Sequence, residues 1–363
     1  MTPEPSSLRI PAEALRRQIM LVLAAWGMAE DQARITAERM VEADLRGVDS
    51  HGIANLPLYD EFRRGGHVNF RANVRVVRET PVTALFDGDG GLGHYPSTLA
   101  IDLAIEKCAQ AGLALAVVRN SNHYGAAGVY VLRAAEKGFI GLCGTNTYKA
   151  SIVPTFAAEP MFGTNPLAFA APAKRNPPFV LDMATSTAAI GKFKLALMHG
   201  KSVPEGWAVD EQGRPLTDPA RAIALRLITP LGGTRELGSH KGYGLAAMVE
   251  ILSAILPGAL ATPVRVRASP AGLFDIGHFF LAIDPGCFRE KGAFEADLDA
   301  MIDVLHAARR ADPGQPVLVA GDPEIAEIEA RTRQGIPVPR PLLDAIRAIA
   351  EAAPCEFVLQ ARG

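Results

Sequence analysis

The chain has little cysteine, no excess of either charge and no long uninterrupted apolar run, and each absence closes off a class of function. Its four cysteines, Cys108, Cys143, Cys287 and Cys355, lie far apart. No C-x-x-C pair offers a zinc or redox site, so no metal is expected and a reduced, cytoplasmic setting fits. The 37 Lys+Arg and 39 Asp+Glu leave a formal net charge of -2, which argues against a phosphate-contacting surface for nucleic acid or an anionic membrane. The most apolar long stretch, Gly244 to Ala261, is interrupted by Glu250 and Pro257 and reads as a buried helix, not a membrane span. The start, Met1-Thr2-Pro3-Glu4-Pro5, has no basic region followed by an apolar run, so no secretory signal is expected. With 48% hydrophobic and 21% charged residues, the composition is that of an ordinary folded, water-soluble protein. A small molecule is the expected partner.

At 363 residues the length predicts two domains, or one with a substantial excursion. Ile19, Val22, Leu23 and Trp26 recur at helical spacing, and Asp31 is the expected N-cap of a second helix that runs toward Leu45 and ends at Gly47. From Val82 the texture turns α/β. Strands are expected at 82–86, 113–118, 139–143, 167–171, 179–183 and 279–283, several of them in one buried sheet, with helices through Ile101 to Cys108, from Ala126 to Lys137 and from Lys241 to Leu256. The segment from Lys201 to Pro219 is turn-rich and reads as an ordered excursion, and the C-terminal region is helical with a proline-rich break at Ile336 to Pro341.

Two histidines sit where apolar periodicity breaks: His51 in Arg46-Gly47-Val48-Asp49-Ser50-His51-Gly52, and His123 in Asn120-Ser121-Asn122-His123-Tyr124-Gly125. Loops on a rigid scaffold present functional side chains, and imidazole exchanges protons near neutral pH. His51 is therefore the candidate acid and His123 the candidate substrate contact. Ser50 beside His51 suggests a hydrolase, but no G-x-S-x-G elbow supports that chemistry. Asp182 interrupts an apolar strand, Phe179-Val180-Leu181-Asp182. A buried carboxylate needs a partner, and His51 or backbone amides of the following turn would serve. Gly88-Asp89-Gly90-Gly91-Leu92-Gly93 matches the dinucleotide fingerprint between an expected strand and helix. The next strand, however, ends in Arg119 and Asn120, without the acidic residue that would bind a ribose.

Taken together, Asp44 to Gly52, Asn120 to Gly125, Gly163 to Pro172, Leu181 to Ser186, Pro204 to Ala208, His240 to Gly244 and Gly321 to Glu324 resemble, in order and over nearly the whole chain, the malate/L-lactate dehydrogenase family that lacks the Rossmann fold. That group also contains sulfolactate, ureidoglycolate and diketogulonate oxidoreductases and a cyclic-imine carboxylate reductase. The resemblance implies an α/β, non-Rossmann protein: a cofactor domain on a mostly antiparallel sheet (76–285) packed on a helical domain made from both chain ends (1–75 and 286–363), assembled as a homodimer. It implies NAD or NADP as cofactor and a 2-hydroxy/2-oxo acid as substrate. His51 looks like the proton donor, oriented by a relay with Ser50 and Asp182, and His123 like a second active-site contact. Asn55 and Thr164 look like substrate contacts. His123, Tyr124, Gly125, Ala126 and Ala127, then Asp182, Met183, Ala184, Thr185 and Ser186, then Lys241, Gly242, Gly321, Asp322 and Glu324 look like cofactor contacts. One residue departs from the pattern: where family members commonly carry an arginine that clamps the substrate carboxylate, this chain has Asn55, so Arg46, Arg63 or Lys149 would have to compensate. A cyclic-imine carboxylate reductase and a non-catalytic dinucleotide-binding dimer are the alternatives.

Overall fold

A computed structural model describes residues 7–268 and 271–360. The elements run β1 (Ser7–Ile10), α1 (Ala12–Ala25), α2 (Glu30–Leu45), α3 (Leu56–Arg64), β2 (Arg75–Glu79), β3 (Thr83–Asp87), α4 (His94–Ala111), β4 (Leu113–Ser121), α5 (Gly128–Glu136) and β5 (Ile140–Thr145). They continue with β6 (Leu167–Ala171), β7 (Phe179–Met183), α6 (Ile190–Met198), α7 (Pro219–Leu225), α8 (Ser239–Glu250), α9 (Thr262–Ala268), β8 (Ile276–Ile283), α10 (Ala293–His306), α11 (Asp322–Gln334), β9 (Ile336–Pro339) and α12 (Arg340–Ala352). Seven strands form one sheet in the order β2-β3-β4-β8-β5-β6-β7. Only β3 and β4 pair in parallel, and every other neighbour is antiparallel. Among the described residues no helix is long and apolar enough to cross a membrane.

Two large cores organise the molecule. One lies between the sheet and α4 and α5, where Ile101, Ala104 and Cys108 meet Val118, Tyr130, Ala134, Cys143 and Phe280. Small residues on α4 and α5 let both helices lie close to the strands. The other core gathers both chain ends: Leu15, Ile19, Val22, Met40 and Tyr59 pack with Ile336, Val338, Leu343 and Ile346. β1 pairs with β9, Ile10 opposite Ile336, which staples the N-terminal helices to α12. The proline-rich break is thus a strand. α10 stands instead against the far end of the sheet, where buried Asp299 accepts backbone N–H groups from Lys174, Arg175 and Asn176 after β6.

Two local expectations are corrected. Ala29, not Asp31, is the N-cap of α2; Glu30 and Asp31 lie in the first helical turn, where their charges favour the positive end of the helix dipole instead of capping it. The expected single helix from 241 to 256 changes at Ile251–Ile255 to a π turn, an insertion common beside functional sites.

The Gly88 to Gly93 loop does join parallel strands through α4, as a dinucleotide fold would. Its amides are already taken, however: Gly88 N–H donates to Arg119 O (2.9 Å), Gly90 to Asn120 O (2.7 Å), Gly91 to Gly88 O (2.9 Å) and Gly93 to His123 O (2.9 Å). A phosphate cradle needs free N–H groups, and this loop spends its own on holding the His123 segment.

Candidate active site

The His51 loop is fixed before any ligand arrives. Asp44, in the last turn of α2, is buried, and its Oδ2 accepts the Ile53 N–H at 2.8 Å. The loop passes so close that a Cβ on Gly52 would lie 1.8 Å from Asp44 Oδ1, so only glycine fits. Burial pushes the Asp44 carboxyl up to about 8. From the other side, Arg331 of α11 donates to Asp44 O at 2.7 Å and to Glu327 at 2.6 Å and pairs with Asp49. Thus a helix from each end of the chain grips residues 44–53.

On that loop Ser50 Oγ lies 2.8 Å from His51 Nδ1, leaving Nε2 for chemistry. With the hydroxyl oxygen accepting from Nδ1–H, Nε2 can take a proton as the neutral ring and give one as the imidazolium. The His123 ring stacks beside His51 with centroids 5.6 Å apart. It is held by its backbone N–H on Asn122 Oδ1 (2.7 Å) and by Tyr59 Oη on its Nδ1 (2.9 Å). Burial lowers His51 to about 4 and pulls His123 well below the ordinary imidazole range, with the neighbouring His51 ring adding to the effect on His123. Burial thus favours the uncharged form of both rings in the free chain.

Sequence reasoning missed the residues behind this pair. Tyr59 is fully buried on α3, and its hydroxyl, pushed up by burial, remains a hydrogen-bonding phenol. His94 at the start of α4 packs edge-on to Tyr59 at 5.9 Å, and among the described residues neither of its ring nitrogens has a hydrogen-bond partner. His278 of β8 bridges Thr145 Oγ1 (2.7 Å) and Ser121 Oγ (2.9 Å) and stacks on Tyr124 at 4.8 Å. Asn55 lies one turn before Tyr59 on the same helical face. It is 7% exposed, its amide lies close to the Tyr59 hydroxyl, and among the described residues its Nδ2 makes no hydrogen bond of good geometry.

Asp182 corrects the expected relay. Its Oδ2 accepts the Gly128 N–H at 2.7 Å, at the N-terminus of α5; no hydrogen bond joins it to His51 among the described residues. The α5 amides supply the partner that its interruption of an apolar strand demanded. Asp182 is open to water yet walled by protein, in a small recess with Arg46, Val48, Ala126, Gly128, Val180 and Glu324. Desolvation, reinforced by the Glu324 charge, lifts its carboxyl to about 6. Two carboxylates facing one recess suit the hydroxyls of a ribose, and a Cβ on Gly128 would close within 3.1 Å of Asp182, so the residues present fit a dinucleotide.

The remaining expected cofactor residues form a strip leading away from β7. Met183 and Ala184 follow Asp182, and Thr185 donates its N–H and Oγ1 to Thr164 O, both at 2.9 Å. Leu231 donates to Thr185 O at 2.8 Å and packs onto Gly242, where a Cβ would lie 2.3 Å from Leu231 O. This puts Lys241 and Gly242, at the start of α8, beside Thr185 and Ser186. A cavity of about 410 Å³ next to them is lined by Thr155, Gly206, Gln212, Thr229, Thr234 and Ser239, away from the histidines. Gly321 (φ +107) leads into α11 against Val180. Asp322 is committed locally, accepting from Val319 N–H and bonding His306 Nε2, both at 2.7 Å.

The model of the malate/L-lactate dehydrogenase family matches residues 10–347. The malate dehydrogenase of Pyrococcus horikoshii is 40% identical over 345 residues, 95% of each chain. The (2R)-3-sulfolactate dehydrogenase (NADP(+)) of Chromohalobacter salexigens is 36% identical over 270 residues, 74% of this chain and 78% of that one. The crystal structure of malate dehydrogenase from Entamoeba histolytica superposes with a TM-score of 0.91 at 33% identity, covering 96% of this chain and 99% of that one.

Proposed function

The chain belongs to the malate/L-lactate dehydrogenase family, and from that premise we propose that His51 is the group that exchanges the proton with the substrate oxygen. The protein is an NAD(P)-dependent oxidoreductase that interconverts a small 2-hydroxy acid and its 2-oxo acid. The observation that carries the assignment of His51 is the line of contacts Ser50–His51–His123–Tyr59. When bound, the nicotinamide supplies or accepts the hydride. In reduction His51 takes up a proton with the substrate and the imidazolium gives it from Nε2 as negative charge develops on the substrate oxygen; in oxidation the neutral ring takes that proton, a contribution of about 10²–10⁴ in rate. Ser50 Oγ accepts from Nδ1–H in both forms and so holds the ring in the tautomer that exchanges at Nε2. His123, held by Tyr59, orients the reacting carbonyl, and Asn55 and Thr164 face the rest of the substrate.

The cofactor contacts we assign are His123 to Ala127, Asp182 to Ser186, Lys241, Gly242, Gly321 and Glu324, with Asp322 acting through the α11 turn; the Asp182–Glu324 recess supports the ribose end of this reading. We also infer a cytoplasmic homodimer, supported by the exposed stripe Met248, Ile251 and Ile255 along α8 and its π turn. The two separate cores support a division into a cofactor domain at 76–285 and helical parts at both ends. The test is oxidation of NADH or NADPH, followed at the nicotinamide absorbance, with a panel of 2-oxo acids and cyclic imine carboxylates. Turnover of 2-oxo acids supports the reading. Turnover of imines alone replaces it with the reductase, and cofactor binding without turnover leaves a binding protein.

A further inference from the structure

One buried carboxylate takes no part in the site described so far. Glu250, the last residue of α8 before the π turn, is 3% exposed. An acidic group in such a place is costly unless donors surround it, and three N–H groups do. Oε1 accepts from Thr262 N–H at 2.5 Å and from Asn146 Nδ2 at 3.1 Å, and Oε2 accepts from Asn165 Nδ2 at 2.8 Å. Both asparagines are buried, and each leads to a different part of the site.

Asn165 leads to the strip assigned to the cofactor. Its Nδ2 also donates to Ala246 O at 2.9 Å, one turn earlier on α8, so the side chain is tied to the helix at two points. Its backbone stands at φ 33, in the left-handed region that asparagine enters more readily than most residues and that persists where the surroundings fix it. Thr164 O and Asn165 O both accept from Thr185 Oγ1, at 2.9 and 3.2 Å. Thr185 is therefore set by a loop that Glu250 pins.

Asn146 leads to His123. While its Nδ2 faces Glu250, its Oδ1 accepts the Gly277 N–H of β8 at 2.9 Å. The next residue, His278, bonds Thr145 Oγ1 at 2.7 Å and Ser121 Oγ at 2.9 Å, two residues before His123, and its ring lies on Tyr124, the residue after it. The π turn shares in this contact. A Cβ on Gly277 would overlap Ser253 O, so β8 rests directly on the turn that begins after Glu250. Satisfied buried hydrogen bonds reinforce one another along such a network, and here both branches meet at one carboxylate.

We propose that Glu250 is a positioning residue of the reaction, a single anchor that holds the Thr164–Thr185 strip through Asn165 and the Ser121–Tyr124 segment through Asn146 and His278. The role rests on the dehydrogenase reading above. Glu250 touches neither substrate nor cofactor. It sets the distance between the two halves of the site, where a misplacement of about 1 Å lowers the rate by about 10²-fold.

The experiment compares wild type, Glu250→Gln, Asn165→Gly, Asn146→Ala and Val249→Ala by three measurements. These are the Kd for NADH and NADPH from fluorescence titration without substrate, kcat with whichever 2-oxo acid the wild type turns over fastest, and the melting temperature. Glutamine has the shape of glutamate, but in either orientation its amide turns an NH2 group toward an N–H donor. Glu250→Gln is expected to raise the cofactor Kd and lower kcat, each by about 10-fold or more. Asn165→Gly keeps a residue at ease at φ 33 and is expected to act mainly on Kd, while Asn146→Ala acts mainly on kcat. A general loss of stability does not produce that split, which decides the matter should Glu250→Gln fail to fold. Val249, buried one residue away with Val117 and Phe279, is the control: its truncation leaves a cavity and lowers the melting temperature, with Kd and kcat expected to stay close to wild type. Wild-type Kd and kcat in Glu250→Gln, an equal loss in Val249→Ala, or no split between the asparagine variants overturns the positioning role alone. No wild-type turnover of any 2-oxo acid overturns the underlying reaction and the role with it.

Discussion

Asp44 and Gly52 are in direct contact across the His51 loop: the carboxyl group occupies the space a side chain at residue 52 would need, 1.8 Å from the ideal Cβ position. The helix end and the histidine loop are therefore one rigid unit, and the geometry of His51 is inherited from the packing of α2.

Gly52→Ala should break that unit. The added methyl meets a buried, hydrogen-bonded carboxylate that cannot swing away without abandoning the Ile53 N–H. Overpacking of this kind costs roughly 1–3 kcal/mol, and displacement of His51 should lower kcat by about 10-fold or more. Thermal unfolding and steady-state kinetics check both. A variant with wild-type melting temperature and rate would show that the loop is not pinned there.

The same carboxyl predicts a pH dependence. Its folded pKa is raised by burial to about 8, far above its unfolded value of roughly 4. Stability from Asp44 is thus fully present below about pH 4 and is lost progressively as pH rises through about 8. Asn mimics the protonated acid and still accepts the Ile53 N–H. The melting temperature of Asp44→Asn minus that of wild type should therefore rise from pH 6 to pH 9. A flat or falling difference would mean that Asp44 is ionised in the folded chain.

Much of this arrangement was legible in the sequence where one element carries its own signal. β6 and β7 fall where short apolar runs bounded by turn residues put them, and His51 and His123 both mark breaks in periodicity and do meet. Tyr59 could have been found, since Asn55 and Tyr59 share one helical face at i, i+4. His94 and His278 could not: each looks like an ordinary polar residue until the sheet brings β8 beside β4. Asp182 was recognised as anomalous, but its partner is a backbone amide of α5, and amides leave no trace in a side-chain pattern. The glycine fingerprint was discounted for want of an acidic residue after the next strand, and the fold adds the reason that a side-chain pattern cannot show: its N–H groups are already used.

If His51 exchanges the proton, His51→Asn should lower kcat by about 10²-fold or more with little change in cofactor affinity. Its pH profile is equally specific. Oxidation of the hydroxy acid needs neutral His51, and burial lowers its pKa to about 4, so kcat/KM in that direction should lack an acidic limb near 6.5 and fall only as pH approaches about 4. A limb at 6 to 7 that vanishes in His51→Asn would show that the ring is not desolvated enough to lower its pKa.

Asn55→Leu separates binding from stability at one position. The buried Asn55 amide meets the Tyr59 hydroxyl only in poor geometry among the described residues, so it adds little to the fold against a desolvation cost of roughly 1–3 kcal/mol, and a leucine of similar size should leave the melting temperature unchanged or raise it. The reverse holds for substrate. A hydrogen bond to a charged group contributes about 1.5–3 kcal/mol, so loss of Nδ2 should raise KM for the oxo acid by about 10-fold or more, with kcat less affected because the contact is remote from the proton in flight. The measurement is a melting curve beside a kinetic pair, KM and kcat, on the same preparation. A stability loss above about 2 kcal/mol with KM unchanged would make Asn55 a structural residue whose partner is Tyr59, and would remove it from the substrate pocket.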